Sequence, residues 1–262
     1  MIGYGKISPP SVLSAGPPLE GASARALLER ALRRAEREAP SAIAIFDLDS
    51  TLIDNRPRQA AIMRAFGAAR GLPELERCEP DHWQGWDFRL AMKNAGLSDE
   101  AIRDHESAFK PFWFERFFTS EYCALDQPIA GAVEYTRAVA DTGAQLVYVT
   151  GRPEDMRDGT LNVFTSRGFP QPGGDRARLI MKPTLMEGDD IYKIRIHDEL
   201  RERGQVVAAF DNEPTHINGY QDGFPAALCV HLATDHSPRD VRVAEGIPSI
   251  RDFTAFARRG SD

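Results

Sequence analysis

The stretch AIAIFDLDSTLIDN, residues 42–55, sets two carboxylates one residue apart at the end of an apolar run, with a threonine two positions further on. Strand interiors disfavour aspartate, and carboxylates this close repel each other unless a cation sits between them. A metal ion and a phosphate chemistry would reconcile Asp47, Asp49 and Thr51 with the buried-looking strand that delivers them. Other positions carry the residue types such chemistry uses. Thr150, Gly151 and Arg152 follow the apolar run AQLVYV, Asp211, Asn212 and Glu213 follow VVAAF, and Lys182 and Lys193 lie between those two runs. Carboxylates from two strands can hold a hard divalent cation such as Mg2+, which prefers oxygen ligands and keeps several waters. A strand-end hydroxyl, a lysine and free helix N–H groups suit phosphate oxygens.

These residues need elements to position them. Short apolar runs at 42–46, 144–149, 177–181, 206–210 and 226–232 alternate with helical patterns at 129–142, 153–167, 190–203 and 214–221. That alternation predicts a parallel α/β sheet, whose ligands gather outside the carboxyl ends of the strands. Pro153 suits a first helical turn, and Gly168 a left-handed stop. Residues 22–38 place Ala24, Leu27, Leu28, Ala31, Leu32 and Ala35 on one helical face, which is expected to dock on the domain. The interval between the first and second strands is far too long for one crossover helix, and residues 57–125 read as wholly helical. The expected organisation is a loose tail at 1–20, a Rossmann-like three-layer α/β/α core from 21–56 and 126–262, and an inserted helical cap at 57–125.

Asp47, Asp49 and Thr51 match D-x-D-x-T, Thr150 is a hydroxyl after an apolar strand, Lys193 or Lys182 is a lysine near a helix start, and Asp211 opens an acidic cluster after the next strand. In this order the four motifs resemble the haloacid dehalogenase superfamily, over about residues 40–235. The resemblance implies that Asp47 is the nucleophile that forms an aspartyl-phosphate. Asp49 would protonate the leaving oxygen and then deprotonate water. Thr150 and the lysine would hold the phosphoryl oxygens, with Thr51, Gly151, Arg152 and Lys182 as further substrate-binding candidates. Mg2+ would be bound by Asp47, Asp211 and the Asp49 carbonyl. An aspartate at position 49 points to phosphate-ester hydrolysis rather than attack on carbon. The fourth motif departs from the usual paired acids, since Asp211 is followed by Asn212 and, four residues on, by Thr215; Glu213 is a candidate replacement. Lys182 lies in MKP and Lys193 in DDIYK. Lys193 is favoured because it opens the helix feeding the strand that ends in Asp211.

The implied activity is Mg2+-dependent hydrolysis of a small phosphate monoester. The alternatives are a nucleotide or nucleic-acid end phosphatase, for which DIYK and DNEP speak, and a non-catalytic phosphate-binding protein. With 262 residues, 42% hydrophobic and 27% charged, the chain has the composition of a soluble globular protein. A formal net charge of −7 argues against a general nucleic-acid partner. No apolar run approaches a membrane span, no signal-peptide pattern opens the chain, and three scattered cysteines form no C-x-x-C pair; a cytoplasmic protein is expected. The six histidines share no ligand spacing and read as surface or satisfied core residues. The aromatic run from Phe109 to Tyr122 reads as the core of the helical insert, and Trp83, Trp86 and Asp87 as the better candidates for facing the site.

Overall fold

Among the described residues a six-stranded sheet forms the centre of the molecule. The computed structural model describes residues 16–174 and 176–257. Helix α1 (Gly21–Glu38) precedes β1 (Ala42–Phe46). The chain leaves the sheet through β2 (Ile53–Asp54) into α2 (Arg56–Arg70), α3 (Pro73–Glu76), α4 (Phe88–Asn94), α5 (Asp99–Phe117) and α6 (Ser120–Cys123), and returns through β3 (Gln127–Pro128). It continues as α7 (Ala132–Asp141), β4 (Gln145–Pro153), α8 (Arg157–Arg167), β5 (Ala177–Lys182), α9 (Asp189–Arg195) and α10 (His197–Arg203). The last elements are β6 (Gln205–Asp211), α11 (Pro214–Gly223), β7 (Leu228–Leu232), β8 (Ser249–Ile250) and α12 (Thr254–Ala257). Strand order is β5-β4-β1-β6-β7-β8, with every neighbouring pair parallel. This is the expected Rossmann-like α/β architecture.

β1 shows why the layers form. All its residues are buried, as a central parallel strand covered on both faces requires. Its side chains alternate between two cores. Ala44 and Phe46 join Leu27 and Leu28 of α1 and Tyr135 of α7. Ile43 and Ile45 join Tyr192 of α9, Leu200 of α10 and Ile217 of α11. The apolar stripe of α1 docks on the sheet as its spacing predicts, with Ala24, Leu27, Leu28, Ala31 and Ala35 buried.

The helices between β2 and β3 have a hydrophobic cluster of their own, in which Met63, Phe66, Trp83, Met92 and Phe109 are buried together. β2 and β3 pair antiparallel, so the two chain crossings into this insertion lie side by side.

Two expectations need correcting. Pro153 ends β4, with φ −70° and ψ 157°, and a 3-10 turn at Glu154–Met156 intervenes before α8. The single helix expected at 190–203 is two, α9 and α10, meeting at Ile196. β8, two residues long, is too short to leave an apolar pattern in the sequence. Gly168 is left-handed at φ 82° and stops α8. Of the expected tail, residues 1–15 lie outside the described residues, while Leu19 N–H donates to Ser249 O at 2.7 Å. The three cysteines are free and buried. No helix among the described residues is long and apolar enough to cross a membrane.

Candidate active site

Parallel pairing carries the acids to one edge of the sheet. Asp47 N–H donates to Phe210 O at 3.0 Å, extending the β1–β6 ladder one residue past β1. The chain then turns sharply, with Thr51 N–H on Leu48 O and Ser50 held left-handed at φ 63°. β6 ends alongside in Asp211. Thr51 does not line the cavity described below. It is fully buried, and its hydroxyl donates to Asn212 Oδ1 and accepts from Asn212 N–H, both at 3.1 Å, tying the turn after β1 to the turn after β6.

Lys193 joins Asp47 to Asp211. Its Nζ lies 2.6 Å from Asp47 Oδ1 and 2.6 Å from Asp211 Oδ2, with all three residues buried. The lysine stands in the last turn of α9, not at its start, so its entry into the site reflects the face of α9 that packs on the sheet. Two carboxylates here share one ammonium. Burial pushes the Asp47 carboxyl up to about 7 against the pull of Lys193, and Asp211 adds to the rise. Burial also works against Asp211, but Lys193 holds it below the usual carboxylate range. Lys193 itself is raised well above an ordinary lysine by Asp211 and Asp47, although burial opposes this.

Asp49 lies in a second ionic group. Arg152 Nε and Nη2 donate to its two carboxylate oxygens at 2.7 Å each, and Arg58 Nη2 donates to Oδ1 at 2.9 Å. Asp126 completes the group, accepting from Arg152 Nη2 at 2.7 Å and facing Arg58 Nε at 3.1 Å. Arg58, Asp126 and Arg152 are buried. Burial pushes the Asp49 carboxyl up, but the Arg152 and then the Arg58 guanidinium outweigh it and hold Asp49 well below the usual range. Arg152 thus spends its guanidinium on Asp49 and Asp126.

A cavity of about 300 Å³ opens at this edge, lined by Asp47, Asp49, Thr150, Gly151, Arg152 and Lys193 on the sheet side. The Thr150 hydroxyl accepts from Arg152 N–H at 3.2 Å and keeps its own hydrogen to donate. Gly151 matters for closeness, since a Cβ there would sit 2.9 Å from Asp189 Oδ2. Lys182 is buried and pairs with that same Asp189 at 2.5 Å; it is not among the cavity residues. Trp86, Phe117 and Phe118 come from the helical insertion, while Asp189, Asn212, Glu213, His216, Ser237, Pro238 and Arg239 form the remaining wall. Of the three residues expected to face the site, Trp86 does so. Trp83 is buried in the insertion core, and Asp87 caps α4 through Arg89 N–H and Leu90 N–H.

Spacing in the sequence did not single out Arg58, Asp126, His216 or Arg239. His216 Nε2 lies 2.9 Å from Asp190 Oδ1 and its Nδ1 3.6 Å from Asp211 Oδ1, so this histidine belongs to the site despite lacking any ligand spacing. Glu213 turns away from the lysine-bridged pair, and its carboxylate accepts from Ser237 N–H and Oγ–H at 2.9 Å each and faces Arg239 at 3.1 Å.

The donors present fit a hard divalent cation. One ammonium reaches Asp47 and Asp211 together, so two carboxylates with hard oxygen donors converge on a point. No cluster of three His, Cys, Asp or Glu side chains suited to a metal occurs among the described residues.

No family model matches the sequence, and no curated protein is significantly similar to it. Solved structures share its architecture. A candidate phosphatase from Clostridium difficile superposes with a TM-score of 0.53 at 14% identity, over 82% of this chain and 96% of that one. Protein Tyrosine Kinase A of Mycobacterium tuberculosis gives 0.52 at 16% identity, over 82% and 95%. A haloacid dehalogenase-like hydrolase family protein from Streptococcus pneumoniae gives 0.43 at 12%, over 74% and 86%. The first two, with TM-scores above 0.5, share this chain's fold. One neighbour is named a phosphatase and another a kinase, so the fold does not decide the activity; the site must.

Proposed function

We propose that the protein is a Mg2+-dependent phosphoric monoester hydrolase working through a covalent phosphate on Asp47. The observation that carries this reading is that Asp47, Lys193 and Thr150 line one cavity at the carboxyl edge of the sheet, with Asp211 buried against Lys193. In the first step an Asp47 oxygen attacks phosphorus, the Asp47 O–P bond forms, the ester P–O bond breaks, and the departing oxygen takes a proton from protonated Asp49, which the second step restores. Lys193 and the Thr150 hydroxyl stabilise charge on the phosphoryl oxygens. In the second step water attacks the same phosphorus, Asp49 takes a proton from it, and the Asp47 O–P bond breaks to free phosphate and the carboxylate.

Asp49, anionic between two guanidiniums, is prepared to receive the water proton. Giving a proton to the departing oxygen costs more, because protonation must displace the guanidinium contacts. Asp47, Asp211 and the Asp49 carbonyl would hold Mg2+, which when bound supplies positive charge that eases the approach of one anion to another. The helices between β2 and β3 act in this reading as a cap that covers the cavity and excludes water.

The test is phosphate release from a panel of phosphate monoesters. Turnover is expected with Mg2+, is lost in excess chelator, is restored by Mg2+, and is absent in a folded Asp47→Asn variant. Full activity in chelator would remove the metal from the reading, and turnover by the variant would remove the nucleophile.

A further inference from the structure

We propose that Trp86 is a specificity residue that stacks on an aromatic ring in the leaving group, so that the preferred substrates are phosphate monoesters of aromatic alcohols or nucleosides. This rests on the phosphatase reading for the phosphate end of the cavity and on separate observations for the other end.

The stretch between β2 and β3 contributes only Trp86, Phe117 and Phe118 to the cavity wall. None of these carries a charge, and the phenyl rings have no hydrogen-bonding atom. Two polar residues of the facing wall, Ser237 and Arg239, are already engaged. Ser237 Oγ–H is on Glu213, and Arg239 pairs with Asp190 and Glu213. A polyhydroxylated leaving group would give up hydrogen bonds to water here and find few in return. A flat ring gains contact area instead.

Among the three rings, Trp86 has the fewest ring neighbours. Phe117 is covered on one side by the Arg58 guanidinium, 4.0 Å from its centroid, and on the other by Trp113, stacked at 4.4 Å. Phe118 meets Phe114, Trp113 and Phe117 edge to face. Trp86 touches Phe117 through one T-shaped contact at 5.5 Å and is otherwise partly open.

The backbone holds Trp86 in place at a cost. Its φ is 59°, in a region that a tryptophan occupies only when its surroundings enforce it, and Gly85 before it is left-handed at 62°. Gly85 N–H donates to the carboxylate of Asp235 at 3.0 Å, which fastens this loop of the insertion to the loop after β7. Trp83, three residues earlier, meets an ordinary demand for burial in the insertion core. Trp86 meets none, and strain of this kind clusters at ligand sites.

The experiment compares phenyl phosphate, uridine 5′-monophosphate and glycerol 3-phosphate as substrates of the wild-type protein and of Trp86→Gly, Trp86→Phe and Trp83→Phe. Glycine accepts the left-handed backbone, so Trp86→Gly removes the ring without adding backbone strain at that position. Wild type should favour at least one aromatic ester over glycerol 3-phosphate by about 10-fold in kcat/KM. Trp86→Gly should abolish that preference through KM, while Trp86→Phe and Trp83→Phe keep it. Preference for phenyl phosphate places the ring next to the ester oxygen, and preference for the nucleotide places it one pentose away. Equal use of all three esters by wild type, or a preference that survives in Trp86→Gly, overturns the proposal.

Calorimetric binding of the same esters to Asp47→Asn separates the two readings. If wild type turns over none of the esters, ring-dependent binding that Trp86→Gly weakens sinks the phosphatase and leaves the aromatic subsite. Absence of both turnover and ring-dependent binding overturns the subsite as well.

Discussion

Asp47 and Asp49 leave the same strand two residues apart, yet their carboxylates meet opposite surroundings. Asp47 shares one lysine with Asp211 and is pushed up by burial to about 7. Asp49 has two arginines and is held down. The difference lies in the counter-charge. An ammonium on a flexible stem is a point charge that can shift among oxygens, whereas guanidiniums fix a carboxylate in a plane through paired N–H groups. The first centre suits an oxygen that has to move onto phosphorus, and the second suits one that has to stay where water will pass.

The largest effect that tests this contrast is on the lysine. Lys193→Ala should lower kcat by about 10²–10³, the usual cost of losing one donor to a transition-state oxygen. Lys182→Ala, whose ammonium pairs with Asp189 at the rim, should mainly raise KM. Steady-state kinetics on both folded variants decides, and the reverse pattern would exchange the roles of the two lysines. Next is the arginine clamp. Arg58→Met keeps length but strands Asp126 and part of Asp49, and breaking a buried pair in this way costs about 3–5 kcal/mol. Urea unfolding should show that loss at pH 7; a loss within about 0.5 kcal/mol would mean the clamp contributes little to stability.

The smallest effect calibrates what burial does without a charged partner. His231 hydrogen-bonds Ser249 Oγ and the Asn212 carbonyl and is lowered by burial to about 4. It stays neutral in the folded protein down to that pH, while the unfolded chain takes up a proton near 6.5. The unfolded state therefore binds more protons between those values. The contribution is complete above pH 6.5 and is lost as pH falls toward 4, by about 3 kcal/mol at most. His231→Gln should flatten that part of a Tm–pH curve, and an unchanged slope would assign it to other groups.

The sheet was legible because apolar runs and helical periods report on burial locally. Asp47, Asp49, Thr150 and Asp211 were legible because strands end where those runs end. Lys193 was favoured for a poor reason, since it closes α9 rather than opening it, and what places it is the face of that helix. Arg58 and Asp126 were hidden because their partners lie across the fold, Asp126 being 26 residues from Arg152 and Arg58 59 residues from the Phe117 carbonyl it also binds. No local pattern marks an arginine that will be buried by residues from another part of the chain. His216 was set aside for want of ligand spacing, yet a strand-to-helix turn brings it beside Asp211.

The placement of the clamp has a mechanical consequence. Arg58 sits where the chain enters the helical insertion, Asp126 where it leaves, and Arg58 Nη1 also donates to Phe117 O at 2.9 Å. The insertion is thus bolted to the sheet at its base, and it cannot swing open as a door on a hinge there without tearing buried ion pairs. The loop that carries Gly85 and Trp86 is fastened more lightly, by the Gly85 N–H on the Asp235 carboxylate. The molecule is built like a vice with one fixed jaw and one adjustable tip.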